Sequence, residues 1–76
     1  MEYSINNFFG SAKHEYDHDV QDGLLHQSNA YYYETKNECD KALEAVHLFY
    51  EDAYIDVREY PDSNLPYEIL VVEEVN

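Results

Sequence analysis

Seventeen Asp and Glu side chains stand against four Lys and Arg, so this 76-residue chain carries a formal net charge of -13. Like charges at that density repel one another and oppose any compact state. A chain this short also has little core with which to resist them. The excess charge therefore calls for an offset: a dimer interface, bound cations or a basic partner. Acidic chains poor in apolar residues simply stay unfolded. Here 45% of residues are hydrophobic, with nine Tyr and three Phe. That content supports one folded domain over residues 1–76, with 1–10 read as a flexible N-terminal segment.

The same charge excludes several roles. Proteins that bind nucleic acid directly need basic patches to displace counterions, and this chain has none to offer. Anionic lipid surfaces repel it, and its longest apolar run, Ile69 to Val72, is far too short to span a bilayer. The opening Met1-Glu2-Tyr3-Ser4 has no basic n-region followed by an apolar stretch, so a cytoplasmic location is expected. A lone Cys39 rules out an intramolecular disulfide.

Periodicity organises the chain. Thr35-Lys36-Asn37-Glu38 matches a capping box, with Asn37 as an alternative cap, and strong helix formers follow through Ala45. Cys39, Ala42, Leu43, Val46, Phe49 and Tyr50 recur at helical spacing, which predicts a helix ending near Asp52 with those residues on its core face. Ahead of it, His14 to Val20 alternates at period two, with Glu15, Asp17 and Asp19 on one side and His14, Tyr16, His18 and Val20 on the other. Asp22-Gly23 is a hairpin signal, and Leu24 to Tyr33 is the return strand. A helix over Asn6 to His18 is the rival reading, weakened by Gly10. After the helix, Tyr54 to Tyr60 and Tyr67 to Glu74 read as strands around a turn-rich loop from Pro61 to Pro66. The expected architecture is α+β: two hairpins in a small antiparallel sheet with one helix packed on one face.

Three patterns invite chemistry. His14-Glu15-Tyr16-Asp17-His18 matches H-E-x-x-H, which in zinc peptidases requires a helix to bring both imidazoles and the Glu to one face. A strand separates them instead, so a small zinc hydrolase is only an alternative reading. Asp17 to Gly23 resembles the start of a calcium loop. Counted from Asp17, however, positions six and twelve hold Asp22 and Ser28 where Gly and a bidentate Glu are needed. Cys39 lies on the apolar helix face and reads as a small buried hydrophobe. No catalytic residue and no cofactor is expected.

The arrangement of carboxylates is more informative. Glu15, Asp17 and Asp19 repeat every two residues along a strand, about 6.6–6.8 Å apart. Asp40, Glu44, His47 and Glu51 form a stripe opposite the core face of the helix, with Asp40 and Glu44 about 6 Å apart by axial rise. Asp56 adds a carboxylate on the following strand. Both spacings are close to the roughly 6–7 Å between successive phosphates of one DNA strand. In size, acidity and tyrosine content the chain resembles small phage-encoded DNA-mimic proteins, among which are dimeric inhibitors of the nucleoid protein HU. The resemblance implies a basic DNA-binding protein of the host as partner, and the carboxylate rows make Glu15, Asp17, Asp19, Asp40, Glu44, Glu51 and Asp56 the expected contacts with it. The strand–helix–strand core from Tyr31 to Tyr60 is also similar to that of a small phage inhibitor of RNA polymerase, which implies a non-mimic acidic adaptor as the alternative.

One strand predicts assembly. Ile69 and Val71 lie on one face of the last strand, and Leu70 and Val72 on the other. A single helix covers only one of those faces. A homodimer with Leu70 and Val72 at its interface would cover the second and double the acidic surface.

Overall fold

The computed structural model describes residues 9–75 and shows an α+β fold, a four-stranded antiparallel sheet with one helix on it. The strands are β1 (Lys13–Gln21), β2 (Leu24–Tyr33), β3 (Tyr54–Glu59) and β4 (Tyr67–Val75), and α1 (Lys36–Phe49) lies between β2 and β3. The sheet order is β1-β2-β4-β3. Each hairpin pairs locally, and β2 and β4 join the two through the middle. Most of the N-terminal segment read as flexible, and the rival helix start at Asn6, lie outside the described residues.

The first hairpin turns on Asp22 and Gly23, both at positive φ (+54° and +79°). That is the geometry of a two-residue type I′ turn, which suits the right-handed twist of the flanking strands and puts Gln21 opposite Leu24. His14 to His18 therefore belongs to a strand.

Thr35 is the N-cap of α1, its Oγ1 accepting the Glu38 N–H at 3.2 Å, a contact of about 1 kcal/mol. Asn37 lies inside the helix. The helix stops earlier than its apolar spacing predicts. Tyr50 leaves helical geometry, with its N–H donated to the Val46 carbonyl at 2.8 Å, and Glu51 falls in the following turn.

Cys39, Ala42 and Val46 press onto Tyr31 and Tyr33 of β2 and Ile69 and Val71 of β4 to form the core. Each fully buried Val or Ile among these contributes about 1.5–3 kcal/mol. Phe49, expected on the same face, is 70% exposed. This last-turn side chain meets the rings of Phe9 and Tyr50 instead of the strand residues of the core.

Candidate functional site

Strand alternation sorts the carboxylates by side. The face of the sheet without the helix is built from rows running straight across the strands. Glu15, Ala30, Leu70 and Asp56 form one, and Asp17, Ser28, Val72 and Tyr54 the next. Beyond them lie Asp19, His26 and Glu74, and at the other end Lys13, Tyr32, Glu68 and Arg58. An apolar strip of Ala30, Leu70, Val72 and Tyr54 thus crosses the open face between carboxylates on the two edge strands. Leu70 and Val72 are half-buried by these neighbours, and Tyr54 is exposed.

Asp40 and Glu44 project from the outer side of α1, on the opposite side of the molecule. The seven predicted carboxylates are therefore divided: Glu15, Asp17, Asp19 and Asp56 on the open face, and Asp40 and Glu44 on the helix. Glu51 belongs to neither row, because the chain has left the helix before it. All seven reach solvent, Asp56 the least.

Three of the seven are already paired. Lys13 Nζ lies 3.1 Å from Glu15, Lys36 Nζ 3.2 Å from Asp40 and Arg58 Nε 3.3 Å from Asp56. The counter-charge for the helix stripe is thus Lys36, one turn ahead of Asp40. The Lys13 contact, helped by the Tyr32 hydroxyl, holds the Glu15 carboxyl below its ordinary range. The Asp40 contact raises Lys36, and Tyr60 and then Asp56 raise Arg58. All three pairs are exposed and solvent-screened, contribute little to stability, and yield easily to a competing cation.

Asp17 and Asp19 have a second task. β1 is an edge strand, and its N–H groups at His18 and Val20 face away from β2, given that Gln21 pairs with Leu24 and the ladder alternates. Asp17 Oδ1 accepts the His18 N–H and Asp19 Oδ1 the Val20 N–H, both at 2.9 Å. The free edge is thereby blocked against pairing with another strand. These bonds also hold the two carboxylates in a defined line.

His14 and His18 lie on one side of β1, and Glu15 on the other. His14 stacks on Tyr31 with ring centroids 4.7 Å apart, its Nε2 in a 2.7 Å hydrogen bond with Asn29 Oδ1. The strand thus keeps Glu15 away from both imidazoles, contrary to the geometry H-E-x-x-H needs. Burial raises the Cys39 thiol, which keeps it protonated and inert.

Glu68 was not foreseen as a site residue. It is 4% exposed on β4, just ahead of the apolar run Ile69 to Val72, and the Tyr60 hydroxyl donates to its Oε1 at 2.6 Å. It borders a depression on the open face of about 560 Å³, shared with Glu15, Asp17, Tyr32 and Leu70. Burial, followed by the Glu68 and Glu15 charges, pushes the Tyr32 hydroxyl up to about 12.

Among the described residues no helix is long and apolar enough to cross a membrane. No protein-family model, curated protein or solved structure matches the chain.

Proposed function

We propose that the protein is an acidic DNA-mimic inhibitor that occupies the basic DNA-binding surface of a host DNA-binding protein, with nucleoid protein HU the best candidate. The observation that carries this reading is the outward placement of the charge. None of the seven predicted carboxylates is consumed by the core, and the strand row Glu15, Asp17 and Asp19 stands exposed along a free edge. Carboxylates at that repeat can accept the Lys and Arg contacts that phosphates otherwise take. Three of the four native cations already sit in weak surface pairs that a partner can exchange for its own.

The protein acts by occupancy, without catalysis or a cofactor, in the host cytoplasm and nucleoid. It works as a homodimer paired over Leu70 and Val72. Tyr54 beside Val72 and Ala30 beside Leu70 extend the apolar strip available for pairing. Steering by net charge makes association fast and salt-sensitive.

Titrating the protein into HU at rising ionic strength tests the reading. Affinity is expected to fall by roughly an order of magnitude between about 0.05 and 0.3 M salt. Binding that ignores salt removes the mimic in favour of an adaptor held by apolar contacts, such as an RNA polymerase inhibitor. The exposed Leu48 and Phe49 would serve that adaptor.

A further inference from the structure

The helix side of the sheet is only partly covered. α1 packs over β2 and β4, and beyond its C-terminal end a crevice of about 310 Å³ opens towards β1. It is lined by Phe9, His14, Asn29, Tyr31, Phe49 and Tyr50. The rings form a connected set. Phe9 meets Tyr31 edge-on at 5.1 Å and Phe49 at 5.8 Å, and Phe49 meets Tyr50 edge-on at 4.8 Å. Tyr31 lies at the floor, 1% exposed, its ring stacked with that of His14, which also lines the crevice. Phe9 is placed there by a left-handed backbone, φ +55°, held by the Tyr33 hydroxyl donating to its carbonyl at 2.9 Å. A bulky residue at positive φ is costly, so its ring position is imposed by its surroundings.

The other flank of the same rings is acidic. Phe49 and Tyr50 also wall a second depression, of about 320 Å³, together with Glu51, Asp52, Glu73 and Glu74. Aromatic faces carry partial negative charge, and the carboxylates of Glu51, Asp52 and Glu73 on this side deepen it, Glu74 being turned to His26 on the open face. What such a place attracts is a cation with a flat, weakly hydrated face. A guanidinium fits that description. It stacks on rings while its N–H donors remain free for carboxylates, whereas an ammonium is compact and holds its water more tightly.

The geometry points to this crevice as the seat of an arginine side chain of the basic partner, gripped by Phe9, Phe49 and Tyr50 over the buried Tyr31 and paired with the neighbouring carboxylates. The assignment rests on the proposed function for the nature of the partner. It adds an aromatic anchor, placed on the helix side and away from the open-face carboxylate row. It also gives Glu51 a role its loss from the helix stripe would otherwise deny it.

Two measurements test the assignment. In the first, amide resonances of the isotope-labelled protein are followed while a capped Gly-Arg-Gly peptide is added, with Lys and the neutral citrulline in place of Arg as controls. The Arg peptide is expected to shift His14, Asn29, Tyr31, Phe49 and Tyr50, the Lys peptide less, and the citrulline peptide not at all. Shifts centred on Glu15, Asp17 and Leu70, or equal for citrulline, would overturn the assignment. In the second, Phe49→Ala is titrated against HU. The side chain is largely exposed, so the variant keeps the parent's melting temperature, and affinity is expected to fall roughly 2- to 30-fold. HU binding that is salt-sensitive but unchanged by Phe49→Ala removes the arginine seat and leaves the DNA-mimic reading intact. No HU binding, with the Arg peptide still seated at Phe49, removes HU and keeps the crevice as the site for another basic partner.

Discussion

The hydroxyls of Tyr31 and Tyr50 share a hydrogen bond at 2.9 Å, tying the C-terminal part of β2 to the C-cap of α1 across 19 residues of sequence. The bond closes the core at the C-terminal end of the helix.

Removing either partner leaves the other hydroxyl short of its contact. Tyr31→Phe and Tyr50→Phe are each expected to destabilise by about 1 kcal/mol. That is about 4–8 °C in melting temperature for a domain of this size. The double variant should lose less than the sum, because the second change no longer strands a hydroxyl. Strict additivity in thermal melts would mean that the bond contributes nothing to the fold.

The buried tyrosines set an alkaline limit. Burial raises the hydroxyls of Tyr31 and Tyr33 above their ordinary value of 10.0, and Tyr32 is pushed up to about 12. Above pH about 10 the unfolded chain therefore releases protons that the folded one retains. The stability these groups contribute is complete below that pH and is lost as pH rises through their folded values. Absorbance at the tyrosinate band and far-UV circular dichroism, recorded on the same titration, should show the last tyrosines ionising as the fold is lost. Full ionisation of all nine with the dichroism unchanged would contradict the burial described.

β4 offers a comparison between its two faces. Ile69 is fully buried under α1, whereas Leu70 is half-buried on the open face. Ile69→Ala should cost about 2–5 kcal/mol, which is a large part of a small domain's stability. Leu70→Asp should instead act on assembly. Light scattering is expected to give twice the 9.0 kDa chain mass for the parent and the single-chain mass for the variant, with the fold retained. A parent that is monomeric at micromolar concentration would remove the homodimer.

The elements were legible because their signals are local. The alternation of His14 to Val20, the Asp22-Gly23 pair and the Thr35 cap each specify a short stretch, and the structure keeps all three. Strand order was not legible, because β2 meets β4 across the whole helix and hairpin loop. The division of the carboxylates between two sides follows from that order and was hidden with it. Glu51 was misplaced because helical spacing continues through Tyr50 in sequence, while its backbone does not. The crevice draws Phe9, Tyr31 and Phe49 from three distant segments, so no window of sequence contains it. Glu68 carries no signal of burial in its own stretch of sequence. Its burial depends on a hydroxyl eight residues earlier, at Tyr60.

The central claim is that carboxylates on this surface take the place of phosphates. Displacement of a fluorescent DNA duplex from HU tests it most directly, using the parent and two variants neutralised on opposite sides, Asp17→Asn/Asp19→Asn and Asp40→Asn/Glu44→Gln. The parent is expected to release the duplex in proportion to its concentration, with a potency that falls as salt rises. At least one neutralised variant should need roughly tenfold more protein for the same release, as expected when close charge pairs to the partner are lost. A duplex that stays bound to HU at saturating protein, or is released equally well by all three proteins, would contradict the claim.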